Sequence, residues 1–324
     1  MANRRSRILT GLSLAAAGLV LHAVAAASSS AQPAPTGRVD DALVARVDSL
    51  LEAHGEGIAA SLWLGGAAGA SWFERQPQAT RPTASAIKAF YLVELFGRFA
   101  GALDQPLPGV RDLLADDAHP AISHFTPEQR GEIRAGLSGA TVRRVGLVMM
   151  GTAPASNVVY NAAANVVTAV LGGPEALTGL IRQRDPAFAM VAARRYMLRD
   201  RRERGDNEAP AIALATLYQR LAARQLAGVD APTMDAIRDA MRRGDDPALG
   251  RHFDKDGDLD SDPLTRVRAG WYETAKGPLV YVVMTVQPSP GPAGRDASGQ
   301  RLATTTDALT QAIVQAGSAA MRQR

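Results

Sequence analysis

Strand-like sequence occurs in two blocks near opposite ends of the chain, and this spacing limits the folds available more than any other feature. "IAASLWLGG" and "ASWFERQ" form the first block, joined by the glycine-rich "GGAAG" of a hairpin. "LTRVRAGWYE" and "PLVYVVMTVQ" form the second, flanking the turn "TAKG". Between them, from about Ala84 to Arg243, nearly every segment has helical composition. Proline and glycine break it at "DQPLPG", "HPAISHFTPEQ", "GTAPAS", "GGPE" and "RGDNEAP". An amphipathic helix with Leu43, Val44, Val47, Leu50 and Leu51 on one face precedes the first block and is closed by Gly55. Another is expected from about Thr304 to Met321. The fold class read from this order is α+β: an antiparallel sheet flanked by N- and C-terminal helices, plus an all-helical subdomain. That subdomain, roughly residues 97–250, is inserted between the sheet halves, and the junction should leave a cleft suited to a ligand. No internal repeat is evident.

The chain carries thirty-six lysines and arginines, of which only Lys88, Lys255 and Lys276 are lysine. Arginine keeps its charge, whereas a desolvated lysine can lose a proton and act as a base. Lys88 lies in "TASAIKAFYLVELF", a segment apolar nearly all round, as in a buried helix. Ser85 precedes it by three residues, one turn away on the same face. For an isolated S-x-x-K the ordinary reading is a capping serine and a lysine that snorkels to the surface. A serine nucleophile at a helix start would instead gain from the dipole and from free amide hydrogens.

Residues 1–31 read as an export signal: Arg4, Arg5 and Arg7 precede a long apolar run that ends in small residues. Residues 32–40 read as a linker, and 41–324 as the main folded domain. The mature protein is expected to be periplasmic or secreted, without stable membrane insertion once the signal is cleaved. The chain has no cysteine, which excludes disulfides and thiol chemistry. Apolar residues make up 46% of it, enough for a sizeable core, and aromatics only 5%. With spread-out basic residues and a net charge of +4, a nucleic-acid partner is not expected. The protein is expected to be a monomer.

Two further clusters carry polar chemistry. "ASNVVYNAAANVVTAVLGGPEAL" presents Ser156, Asn157, Tyr160, Asn161 and Asn165; alone, such asparagines read as caps and loop ties. "HFDKDGDLDSD" presents Lys255, Asp256 and Gly257, and read alone is a solvated acidic turn. Its glycine is misplaced for a calcium loop.

S-x-x-K, an asparagine-rich helix start before "GGPEAL", and K-x-G before a strand hairpin follow one another in an order that resembles the class A serine β-lactamases and the penicillin-binding enzymes. The likeness runs from about Val39 to the C-terminus. It implies an acyl-enzyme on Ser85 with Lys88 managing its proton, no metal and no organic cofactor. It implies a small-molecule partner, a β-lactam or a peptidoglycan peptide. Asn161 matches the asparagine of S-D-N, which puts Val159 and Tyr160 at that motif's serine and aspartate; Ser156 or Tyr160 would then have to substitute for the serine. Lys255 and Gly257 match K-T-G, with Asp256 in place of the hydroxyl residue. An aspartate there would repel a substrate carboxylate, and Arg266 or Arg268 on the next strand would restore the positive charge. "RRYMLRDRRERGDNEAP" resembles the family's omega loop but lacks its glutamate. Asp200 and Glu203 are the nearest carboxylates, and Arg194 or Arg195 is expected to tie the loop to Asp206.

Overall fold

The structure is a computed structural model in which residues 41–55, 57–291 and 293–323 are described. The expected signal and linker lie outside these residues. Helix α1 (Asp41–His54) leads into strands β1 (Ala59–Gly66), β2 (Phe73–Arg75) and β3 (Thr80–Pro82). A 3-10 turn, Ala84–Ile87, runs directly into α2 (Lys88–Arg98). The helices α3 (Val110–Ala115), α4 (Pro127–Leu137), α5 (Val142–Met150), α6 (Asn157–Val170) and α7 (Pro174–Arg184) follow. After a loop come β4 (Glu208–Pro210), α8 (Ala211–Ala222) and α9 (Ala231–Met241). Strands β5 (Arg242–Asp246), β6 (Gly250–Asp254), β7 (Gly257–Leu259), β8 (Leu264–Thr274) and β9 (Gly277–Gln287), then helix α10 (Arg295–Arg322), complete the chain.

The main sheet has the order β2-β1-β9-β8-β6-β5, with β7 pairing a separate stretch of β8, and its neighbouring strands run antiparallel. The long register of β1 on β9, Ala59↔Val286 to Gly66↔Leu279, joins the two ends of the chain across everything between them. β1 is buried along six consecutive residues, because both of its faces are covered. On one face α1 and α10 pack over Leu62, Leu64, Tyr281 and Val283. On the other, Trp63, Trp271, Val280 and Val282 join a larger core with α2, α5, α6 and α8.

Two boundaries differ from the sequence reading. α10 begins at Arg295, nine residues before Thr304, because the polar "RDASGQRLA" hides a helix whose Ser298, Gly299 and Leu302 are buried. The acidic turn "HFDKDGDL" lies mostly on β6 and β7, short polar strands without an alternating apolar face.

α2 is buried at nine consecutive positions, Lys88 to Phe96, since it lies beneath the helical layer. Glu94 survives there because Arg184 from α7 grips both carboxylate oxygens, at 2.6 and 2.8 Å. "GGPE" breaks α6 from α7 through two glycines at φ +95° and +93°, a backbone that side chains oppose.

Candidate active site

The 3-10 turn that carries Ser85 is set by its flanks. Ala84 holds a left-handed φ of +47°, uncommon for a residue with a side chain, and turns the chain abruptly into the helix. Just before it, Thr83 donates from both its amide and its hydroxyl to the Asn207 carbonyl, each at 2.9 Å. β3 pairs with β4 from Thr80↔Pro210 to Pro82↔Glu208. These bonds fix the Ser85 segment against the loop before β4. From the other side β7 presses in at Gly257: a Cβ there would lie 2.4 Å from the Thr83 carbonyl oxygen and 2.9 Å from the Ser85 amide nitrogen. Only glycine lets the strand come this close to the helix start.

Ser85, Asn157, Tyr160, Asn161, Lys255, Asp256 and Gly257 line one cavity of about 740 Å³, with the loop residues Arg195, Met197 and Arg201 opposite. Lys88 is fully buried behind the lining residues Tyr160 and Asn161. Its Nζ donates to Asn161 Oδ1 at 3.0 Å and stands 3.2 Å from the centroid of the Tyr160 ring. Asn161 Nδ2 in turn donates to the main-chain and side-chain oxygens of Asn157, both at 3.0 Å. Lys255 Nζ is 5.5 Å from the same Tyr160 ring and donates to the Asp256 carbonyl at 2.8 Å. Among the described residues no carboxylate pairs with either amine. Burial, and then the nearby Lys255 charge, push Lys88 well below the ordinary lysine pKa. An amine in that state can accept a proton.

Three of the residues singled out from sequence lie elsewhere or are already engaged. Ser156 is the N-cap of α6, where its hydroxyl accepts from the Val159 amide at 3.2 Å; it is exposed and outside the cavity lining. α6 starts one residue after it, so Ser156 is used as a cap. Arg266 is buried and spent on Asp260 at 2.6 Å and on the Gly299 carbonyl at 3.1 Å. Arg268 donates to Asp258 at 2.8 Å and Asp307 at 2.9 Å, with Asp256 at 3.6 Å. Neither arginine lines the cavity.

The loop between α7 and β4 closes the opposite side. Arg195 holds Asp206 at 2.8 Å, and Arg201 reaches the same carboxylate at 3.3 Å. Arg194 pairs with Glu208 instead. Asn165 fixes the loop from below, donating to the Met197 carbonyl at 3.1 Å and accepting from the Met197 amide at 2.5 Å. Met197 thus stands on the cavity wall, where a thioether offers no base. Asp200 is locked to Arg202, which draws its pKa down to about 2, and Glu203 pairs with Arg199. Asn157, Asn207 and Arg201 were not singled out in the sequence as cavity residues; a run of asparagines before a helix gave the only hint of the first. Among the described residues there is no cluster able to hold a metal ion, and no single helix is long and apolar enough to cross a membrane.

No protein-family model matches the chain, and no curated protein matches it in sequence. Solved structures do match. A β-lactamase from Sphaerobacter thermophilus superposes with a TM-score of 0.57 at 19% identity, covering 84% of this chain and 96% of that one. A variant of PBP-A, described as an acyl-enzyme complex with penicillin G, gives 0.55 at 20% identity over 84% and 97%. A class A β-lactamase from Mycobacterium abscessus gives 0.57 at 18% identity over 83% and 98%. The chain therefore has the fold shared by the class A β-lactamases and the penicillin-binding proteins.

Proposed function

We propose that the protein is an exported serine hydrolase of the class A β-lactamase type that opens a β-lactam amide through an acyl-enzyme on Ser85. The observation that supports this most is the state of Lys88: fully buried, unpaired by any carboxylate among the described residues, and one helical turn from Ser85. In the proposed step the Ser85 hydroxyl attacks the carbonyl carbon while Lys88 takes its proton. The C–N bond then breaks and the departing nitrogen is protonated. Lys255, with Asn161, supports the opposite end of the substrate. Release of the acyl group needs a water and a base, and Met197 stands where a base would be useful. Deacylation is accordingly proposed to be slow.

A peptidase or transpeptidase acting on peptidoglycan peptides, or a penicillin-binding sensor that does not turn over, is the second reading. It is favoured by the lack of a free carboxylate on the loop side of the cavity, since Asp200 and Asp206 are tied to arginines. Mixing the purified protein with a chromogenic cephalosporin, and following product and intact mass together, tests both. A burst near one equivalent with the mass shifted on Ser85 supports the acyl-enzyme. No adduct and no turnover would remove it.

A further inference from the structure

The charge on the two walls of the cavity is unequal. The loop wall carries Arg195, Arg199 and Arg201 with Asp200 and Asp206. The β7 wall presents Asp256, Asp258 and Asp260 to the cavity, with Lys255 the one cation among its lining residues. The arginines behind this wall are already committed, Arg266 to Asp260 and Arg268 between Asp258 and Asp307. Lys255 spends a hydrogen bond on the Asp256 carbonyl, not its carboxylate.

Asp256 is the least satisfied group on the wall. Its Oδ1 is shut off from solvent without a hydrogen-bond partner. Its Oδ2 has only Arg268, at 3.6 Å, beyond hydrogen-bond reach. It also lines a second cavity of about 440 Å³ beneath α10, with Asp254, Arg268 and Asp307, so charge reaches it from both sides of the sheet. Gly257, the next residue, packs against the Ser85 turn, and Ser85 and Asp256 line the same cavity.

We propose that Asp256 sets the substrate preference: acyl donors whose group on the β7 side is neutral or cationic react fastest with Ser85, and those with a carboxylate there react more slowly while Asp256 is ionised. The proposal rests on Ser85 being the acylated residue. A substrate carboxylate facing an ionised Asp256 loses hydration and meets a like charge, whereas an ammonium meets an opposite one. Protonation of Asp256 removes the repulsion and turns the group into a donor. Burial, then the adjacent Asp254, raise its pKa to about 7, which puts the change within reach of ordinary buffers. The charged groups around it are Asp254 on β6, Lys255 beside it, Asp258 on β7 and Arg268 on β8. Tyr218 on α8, Tyr272 on β8 and Tyr281 on β9 also feel its charge, and each has its own pKa raised. Asp307 on α10 acts through Arg268.

The test uses thioesters of matched size bearing a carboxylate, no charge or an ammonium, the charge placed on the thiol in one series and on the acyl group in another. The chain has no cysteine, so released thiol can be read with a disulfide reagent without background from the protein. At pH 8.5 one series should rank cationic above neutral above anionic, with the anionic member about tenfold or more below the neutral one. At pH 5.5 that ratio should shrink, and in Asp256→Asn it should be small at both values. The neutral compound at each pH corrects for titration of Lys88. Charge discrimination absent from both series, or present and unchanged in Asp256→Asn, overturns the proposal. Thiol release that persists in Ser85→Ala would instead overturn the acyl-enzyme reading beneath it.

Discussion

The Lys88 amine stands 3.2 Å from the centre of the Tyr160 ring and 3.0 Å from Asn161 Oδ1, so adjacent residues of α6 hold it from two sides. The ring face favours the positive charge that Lys88 would acquire on taking the Ser85 proton. Tyr160→Phe keeps the face and should leave the acylation rate within about threefold, whereas Tyr160→Leu should lower it about tenfold. Stopped-flow acylation by a chromogenic cephalosporin separates the two. A phenylalanine variant as slow as the leucine one would place the role in the hydroxyl.

Ser85→Ala should abolish covalent labelling by a fluorescent penicillin with little change in melting temperature, because one small residue replaces another at a half-exposed position. Lys88→Arg should also fail to label, since arginine keeps its charge and cannot give up a proton.

Lys88 should cost the fold stability, and its pH dependence has a definite sign. Its pKa is lowered on folding, so between the folded value and the ordinary value near 10.5 the unfolded chain binds the extra proton. Stability contributed at this position therefore rises with pH across that window and is lowest beneath it. Lys88→Met should be inactive yet more stable at pH 7, with a smaller gain in urea midpoint between pH 7 and 9.5 than the parent shows.

Met197→Glu would put a carboxylate on the cavity wall while leaving the main-chain bonds to Asn165 in place. The slow phase after the burst should accelerate at least about tenfold, as expected when a base is added to an ester hydrolysis. An unchanged slow phase would show that water cannot reach the ester there.

Arg184→Ala would leave the buried Glu94 carboxylate without its fork of hydrogen bonds, and should lower the unfolding free energy by about 3 kcal/mol. Urea denaturation measures it. Arg220→Ala, whose contact with Asp185 lies at the surface, should cost under about 1 kcal/mol.

The sheet was legible from "PLVYVVMTVQ" and its partners because a strand covered on both faces shows an unbroken apolar run. β5 to β7 were not, since strands rich in aspartate, arginine and glycine look like turns. At the site, the scarcity of lysine makes Lys88 and Lys255 conspicuous in the sequence; Lys255 lines the cavity and Lys88 bonds to Asn161 of its lining. Ser156 misled because a hydroxyl before a helix reads equally as a cap or a catalytic group, and only the position of the first turn of α6 separates them. Arg266 and Arg268 misled because sequence shows a charge but not the carboxylate already holding it.

The pairing of β1 with β9 also governs the order in which the molecule can be made. Ser85 belongs to the first third of the chain, yet β7, which braces its turn, and β9, the long partner of β1, come after residue 250. During synthesis Ser85 therefore leaves the ribosome long before the surfaces that shape its turn exist. The contacts that assemble the sheet span most of the chain, which makes folding slow and late. A truncation anywhere in β8, β9 or α10 should thus silence a serine more than 170 residues upstream, without touching a single residue of its own turn.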